Sequence, residues 1–329
     1  MKSLFYTLAS AGAVFALLVL APVMAQEKKT AVDETLVNDV ASSDPDFNTQ
    51  GEYTGELGDA KYGAQVIARG DGRFDAVLLV GGLPGDGWAG SERISLSGDT
   101  KDKVTTLTGG KWVAKIANNV LSVSGGAKGD LKPIRRKSPS AGTKASDEAI
   151  VLFDGDDVDA WENAKILDGN LLGVGIRTKK KFRDFFLHLE FRTPYMPKAT
   201  GQGRGNSGMY LLDQYECQIL DSFGLTGENN ECGGFYTIQK PNVNMCFPPL
   251  SWQTYDVDFT AAKFDANKKK TANAVVTVKH NGVVIHDAVE LPRNTPGGGT
   301  NDESAAGALF MQDHGNAVRF RNIWIAEKK

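Results

Sequence analysis

The stretch Gln312-Asp313-His314-Gly315-Asn316-Ala317-Val318-Arg319-Phe320-Arg321-Asn322-Ile323-Trp324-Ile325 sets an amide, an acid, an imidazole and two guanidinium groups inside strand-like apolar sequence. Gly315-Asn316 is a tight-turn signal, so 309–312 and 318–325 read as the two arms of a hairpin. Period-2 alternation then puts Arg319, Arg321 and Ile323 on one face, with Phe320, Asn322 and Trp324 on the other. Two arginines stacked on one sheet face beside a turn histidine call for an anionic or carbonyl-bearing neighbour. The plainer alternative is a solvated edge strand with a loop histidine.

Strand-like runs recur upstream of this segment. From Glu148 onward they fall at 149–153, 170–176, 185–192, 207–212, 215–221, 234–238, 252–260, 274–280 and 282–286. No helical spacer separates them, and Asn281-Gly282 is a second short turn. So many short strands in one segment predict an all-β, two-sheet sandwich, and its jelly-roll variant would leave one sheet concave.

Alternation sorts the faces of three strands. Leu187, Leu189 and Phe191 read as core, with His188, Glu190 and Arg192 outward. Met209 and Leu211 read as core, with Tyr210 on the other face. Cys217 and Ile219 read as core, with Glu216 and Gln218 outward together. Strands 207–212 and 215–221 are joined by a short turn through Asp213. Tyr210, Glu216, Gln218, Arg319 and Arg321 are therefore expected on one polar sheet face. The alternative is an ordinary hydrated outer face.

The N-terminus reads as a targeting segment. Lys2 precedes an almost wholly apolar run over 4–20, and Val23-Met24-Ala25 supplies small residues before a cut ahead of Gln26. The run is short for a membrane span and lacks a basic stop on its far side. A signal peptide over 1–25, export to the periplasm or beyond, and no membrane insertion after cleavage are expected. An oxidising compartment would let Cys232 and Cys246 pair across a loop, a bond worth ~3 kcal/mol. Cys217 reads as a small buried hydrophobe.

Residues 26–47 are polar and aperiodic and read as a disordered leader. Residues 48–131 form a small β module, in which Asp71-Gly72 is a strong hairpin pair. Its run Gly81-Gly82-Leu83-Pro84-Gly85-Asp86-Gly87-Trp88 lacks the Gly-Lys-Ser/Thr ending and following helix of a phosphate loop. The module carries no acid/base constellation, which suits binding or scaffolding. Residues 132–147, rich in proline, small residues and positive charge, read as a solvated linker before the long domain 148–329. Charge is nearly balanced, 37 basic against 40 acidic residues, so no overall field calls for nucleic acid.

Several blocks of the long domain resemble the 3-keto-disaccharide hydrolase domain family, formerly a domain of unknown function. They are Leu152-Phe153-Asp154-Gly155 with Trp161, Gly205-Asn206-Ser207-Gly208-Met209-Tyr210, and Tyr215-Glu216-Cys217-Gln218-Ile219-Leu220-Asp221-Ser222. Cys232-Gly233-Gly234-Phe235-Tyr236, Trp252-Gln253-Thr254-Tyr255-Asp256, His280-Asn281-Gly282 and the opening stretch continue the series. The resemblance spans about 148–327 in order. It implies an exported bacterial protein with a concanavalin A-like jelly roll that acts on glycosides oxidised at C3. The β module also resembles one that precedes such domains in planctomycete-type proteins.

A ketone at C3 acidifies the C2 proton and makes the C1 glycosidic oxygen a β-leaving group. Cleavage by proton abstraction, elimination and hydration needs a base, an acid and donors to the enolate oxygen. Glu216 and His314 suit the base and acid. Arg319 and Arg321 suit the enolate, and Asn206, Tyr210, Gln218 and Gln312 suit sugar hydroxyls. Two other readings stay open. A conventional glucanase would need two carboxyls, for which Glu216 and Asp221 are the candidates, although alternation sets them on opposite faces. A lectin-like module would stack sugars on Trp161 or Trp252. His314 with Glu216, Glu190 or Asp313 could ligate a divalent cation, but no spaced ligand motif is present and no cofactor is assigned.

Overall fold

The computed structural model describes residues 37–90 and 92–329. The expected signal peptide and residues 26–36 of the leader lie outside the described residues. The rest of that leader is not disordered. Residues 37–43 are helical, and α1 (Pro45–Thr49) is a second short helix. Asp44 caps α1 by accepting from the Asp46 N–H at 2.9 Å, and Pro45 takes the first helical position, where no N–H is needed.

A closed eight-stranded barrel follows. Its strands are β1 (Gly51–Leu57), β2 (Ala60–Gly70), β3 (Arg73–Val80), β6 (Arg93–Lys101), β7 (Val104–Gly109), β8 (Trp112–Ala117), β9 (Val120–Ser124) and β10 (Gly129–Ile134). Between β3 and β6, the short β4 (Leu83–Pro84) and β5 (Gly87–Trp88) pair in parallel. Closure removes the free sheet edges. The β2–β3 turn is the expected Asp71-Gly72 pair, with φ of 58° and 73°, the left-handed geometry that suits a two-residue hairpin. Tyr53, Val66, Phe74, Leu78, Leu107 and Leu131 fill the interior.

The remaining chain forms two sheets over one apolar core. One contains β11 (Ile150–Phe153), β13 (Ile166–Leu167), β14 (Leu171–Leu172), β16 (Phe185–Arg192), β19 (Gln253–Thr260), β22 (Ala274–His280), β23 (Val283–Leu291) and β25 (Arg319–Glu327). The other contains β12 (Trp161–Glu162), β15 (Ile176–Thr178), β24 (Phe310–Met311), β17 (Ser207–Leu211) and β18 (Tyr215–Ile219). A small ribbon, β20 (Lys263–Phe264) with β21 (Lys270–Ala272), stands apart. Leu187, Leu189, Phe191 and Phe320 of the larger sheet share one core with Met209, Leu211, Cys217 and Ile219 of the smaller. The chain is an all-β protein with a two-sheet sandwich. The run at 234–238 is a turn held by isolated bridges at Phe235, not a strand.

The opening stretch is not a hairpin. β24 pairs with β15 and β17 in the smaller sheet, whereas β25 pairs with β14, β16 and β11 in the larger. Gly315-Asn316 turns the chain from one sheet to the other. Alternation along β25 is also broken. Asn322 has φ of +45° and the β16–β25 register shifts there, so Phe320, Ile323 and Ile325 all face the core.

The segment expected to be a solvated linker is instead a strap across the larger sheet's outer face. Arg136 holds Glu52 of the barrel (Nε–Oε2 2.7 Å). Beyond it, Ser138 Oγ meets Thr254 Oγ1 at 2.7 Å and Ser140 Oγ donates to Asp256 Oδ2 at 2.6 Å. The Gly142 N–H donates to Glu190 Oε1 at 2.6 Å, and Thr143 O accepts from Asn322 and Trp324. His188, Glu190 and Arg192, expected outward, do lie on this face but are buried.

Cys217 is the small buried hydrophobe expected, whereas the expected bond between Cys232 and Cys246 is not formed. Cys217, Cys232 and Cys246 are all free and buried. Cys232 and Cys246 are in side-chain contact without a bond between them, and Cys232 Sγ lies 3.3 Å from Tyr255 Oη.

Candidate functional site

The outer face of the smaller sheet presents a closed polar chamber. β17 and β18 are joined by Leu212-Asp213-Gln214, in which φ values of 55° and 58° at Leu212 and Asp213 make a tight turn and set Tyr210 directly opposite Glu216. Gly208 pairs with Gln218. A Cβ at Gly208 would collide with Glu216 Oε1, so glycine makes room for the carboxyl. The backbone N–H of Gln312, just past β24, donates to Gly208 O at 2.8 Å and brings its amide to the same face.

A loop closes the chamber from above. The Glu216 N–H donates to Thr295 Oγ1 at 2.8 Å, and Tyr210 Oη donates to Pro296 O at 2.8 Å. Gly297 has φ of +90°, and a Cβ there would lie 2.6 Å from Tyr210 Oη. The Gly299 N–H donates to Asp213 Oδ1 at 2.9 Å, and Arg177 holds the same carboxylate at 2.9 Å while stacking over Phe310. Pro296-Gly297-Gly298-Gly299 is the overlooked sequence signal of this close approach.

Burial decides the electrostatics. Glu216 is 3% exposed, and burial raises its carboxyl to about 7, with the Tyr210 hydroxyl pulling the other way. Burial, and next the neighbouring Glu216, raises the Tyr210 phenol, so it stays a neutral donor. Gln312 Nε2 reaches Tyr210 Oη at 3.3 Å. Asn206 Nδ2 donates to Gln202 O at 2.8 Å, and its backbone N–H donates to Asn316 Oδ1 at 2.8 Å. Gln218 Nε2 lies 3.4 Å from Gln202 Oε1. Asn206 Oδ1, Gln218 Oε1 and Gln312 Oε1 are buried with no hydrogen-bond partner. Unsatisfied acceptors around one carboxyl fit a polyhydroxylated guest.

Of the expected set, Asn206, Tyr210, Glu216, Gln218 and Gln312 come together here. His314 is exposed on the turn beside them. Arg319 and Arg321 do not join. Both lie on the larger sheet's outer face, across the core from Glu216. Arg319 holds Asp168 at 2.5 Å, and Arg321 holds Glu190 at 2.7 Å and stacks on Trp252. The one-face grouping of Glu216 with the arginines is therefore wrong. Gln202, Thr295 and Asp213 were missed.

The alternative assignments change as well. Asp221 is buried and bound by Arg204 (Nε–Oδ2 2.6 Å), so it is engaged as an ion-pair partner. Trp161 is buried, its indole N–H donating to Leu152 O. Trp252 lies under Arg192 and Arg321 on the other sheet. Among the described residues no three His, Cys, Asp or Glu side chains cluster as a metal site, and Glu190 is on the far face from Glu216. The cation set considered from sequence does not assemble.

A second polar cluster sits under the strap. His188 Nδ1 lies 2.6 Å from Asp256 Oδ1 and its ring stacks on Trp324. Burial opposes the imidazolium, but hydrogen bonds to Asp256 and Glu190 outweigh it and raise His188 to about 8. Burial likewise pushes the Glu190 carboxyl up, yet His188, Arg321 and Asn322 hold it at about 2. Asp256, Glu190, Asn322 and Trp324 hold the strap directly, and His188 and Arg321 brace them, which marks the cluster as structural.

A family model for the 3-keto-alpha-glucoside-1,2-lyase-like domain matches residues 148–326. Among solved structures, a protein from Parabacteroides distasonis ATCC 8503 described as a candidate glycosyl hydrolase is 35% identical. The match covers 56% of this chain and 86% of that one, with a TM-score of 0.51. A second protein of the same organism and description is 19% identical over 55% of this chain and 94% of its own, with a TM-score of 0.42. No curated protein matches the chain.

Proposed function

The chain belongs to the 3-keto-alpha-glucoside-1,2-lyase-like domain family and carries a carbohydrate-active domain, and we propose that its Glu216 chamber cleaves glycosides oxidised at C3. The observation that carries this reading is a buried carboxyl raised to about 7 among unsatisfied amide acceptors. An unactivated sugar offers such a base nothing acidic enough to remove. A C2–H beside a ketone does.

In this reading the Glu216 carboxylate accepts the C2 proton as the C1–O bond breaks, giving the enone and the free aglycone. Water then adds at C1, and the proton returns to C2. The amide N–H groups of Gln218 and Gln312 donate to the oxygen that becomes the enolate, while Tyr210, whose one O–H is given to Pro296 O, positions the Gln312 amide. Asn206 and the free amide oxygens accept from sugar hydroxyls. His314, at the rim, supplies the proton to the departing oxygen. The arginines take no part, and no resident cofactor is assigned. A two-carboxylate glucanase is less well supported because Asp221 is committed to Arg204.

We assign the sandwich to the concanavalin A-like jelly-roll class, with the chamber on its concave sheet. Export is supported by Lys2, the apolar run 4–20 and the small residues at 23–25. Incubation of the full chain with 3-keto-trehalose and with trehalose tests the reading by mass spectrometry. Release of sugar from the keto substrate alone is expected. Equal release from both would return the glucanase, and binding without cleavage would point to a lectin-like module.

A further inference from the structure

A cavity of about 300 Å³ lies where the barrel meets the sandwich. Ile67, Arg69 and Asp75 come from β2 and β3, while Thr200, Arg204 and Phe223 come from the sandwich. It is separate from the Glu216 chamber. The 3₁₀ turn Gly201–Gly203 divides them, with Thr200 and Gly201 lining the cavity and Gln202 reaching Asn206 and Gln218 in the chamber.

We propose that this cavity is a second carbohydrate site, built jointly by barrel and sandwich, that takes one neutral monosaccharide unit. Its size falls at the lower end of the ~300–1,000 Å³ typical of small-molecule sites. Its charges are already matched within the wall. Arg69 Nε meets Asp75 Oδ2 at 2.6 Å, and Arg204 Nε meets Asp221 Oδ2 at 2.6 Å. Two cations against two anions leave no net charge to attract an ion, which favours a neutral guest.

The wall still offers hydrogen bonds. Arg204 is 3% exposed, and its Nη1 lies near the carbonyls of Ala68, Pro197 and Ala199 at 3.2, 3.2 and 3.4 Å. Its Nη2 is buried with no partner, an unusual state for a guanidinium N–H. Asp75 is half-exposed and Thr200 is exposed at the mouth. Ile67 and Phe223 are buried in the floor, and the partly exposed Leu225 supplies the apolar part of the wall that a pyranose could reach. Because the barrel supplies Ile67, Arg69 and Asp75, a third of the lining, the sandwich alone would lack this site.

The test uses the full chain and methyl α-D-glucopyranoside, followed by titration calorimetry and ligand-observed NMR. Wild type and the chamber variant Gln218→Ala are expected to bind the probe at the cavity with equal affinity. Thr200→Trp, which fills the mouth from an exposed position, should weaken that binding at least tenfold. Asp75→Asn provides a second, conservative variant and should weaken it several-fold. No binding by wild type, binding unaffected by both cavity variants, or binding lost in Gln218→Ala alone would each overturn the proposal. So would glucuronate binding more than tenfold tighter than the neutral glycoside. The outcome does not depend on cleavage, so it stands or falls apart from the chamber chemistry.

Discussion

Burying a carboxyl that ordinarily titrates near 4.5 makes its ionisation costly, and Glu216 is held in that condition by the loop carrying Thr295 and Pro296. A folded value raised to about 7 means that the stability tied to the neutral acid is fully present below about 4.5. It is lost as pH rises through 7. Linkage puts the loss at roughly 3 kcal/mol above neutrality. Glu216→Gln should therefore melt higher than wild type at pH 8, with the gap closing toward pH 4.5, as read by calorimetry. The same variant should lose ~10²–10⁴-fold in turnover of the keto substrate. An unchanged melting profile would mean that Glu216 is solvated. At this scale Tyr210, Glu216 and Gln218 were legible in the sequence, because two strands joined by the three-residue turn Leu212-Asp213-Gln214 keep their alternation in step. Thr295 and Asp213 were not, since nothing local shows that a loop some 80 residues away closes over β18.

β25 shows where reading by element breaks down. Gly315-Asn316 has the dipeptide chemistry of a hairpin, but a tight turn between antiparallel directions serves equally to carry the chain from sheet to sheet. The bulge at Asn322 then invalidates alternation beyond it. Arg321, on the face of β25 away from Glu216, braces the Glu190 carboxylate that holds the strap. Arg321→Ala should lower the melting temperature by weakening the hold on buried Glu190, while kcat/KM of the folded enzyme stays within twofold. A drop in kcat at unchanged stability would restore the arginine to the reaction.

The strap makes its own prediction. His188, raised to about 8 from 6.5, contributes stability that is present below 6.5 and lost as pH rises through 8. Glu190, lowered to about 2 from 4.5, contributes stability present above 4.5 and lost as pH falls through 2. The groups facing them are Asp256 and Arg321, with Ser140, Gly142 and Asn322 as neutral partners. The strap should hold best between about pH 4.5 and 6.5. Tryptic nicking within 135–144, normalised to a peptide substrate, should accelerate from pH 6 to pH 9 in wild type and change little in His188→Gln. Its composition of Pro, Ser and Lys reads as solvated because the groups that bind it lie on β16, β19 and β25.

For the molecule as a whole, barrel and sandwich share contacts as well as chain. Ile67 of the barrel packs into the sandwich core, and Arg93 donates to Gly224 O and Leu225 O. The all-β class followed from short strands without helical spacers. The division into two sheets followed from the strand count, but the assignment of each strand to its sheet depended on pairings that alternation does not encode. That is why one expected polar face became two, separated by the core, and why acid and arginines parted. The proton at C2 distinguishes elimination from ordinary hydrolysis. Cleavage of 3-keto-trehalose by the full chain in deuterated water, stopped early and compared with an enzyme-free control, reads that proton directly by mass spectrometry and NMR. Deuterium at C2 of the released keto sugar, absent with Glu216→Gln, is the predicted result. Cleavage that leaves C2 unlabelled would contradict proton abstraction by Glu216.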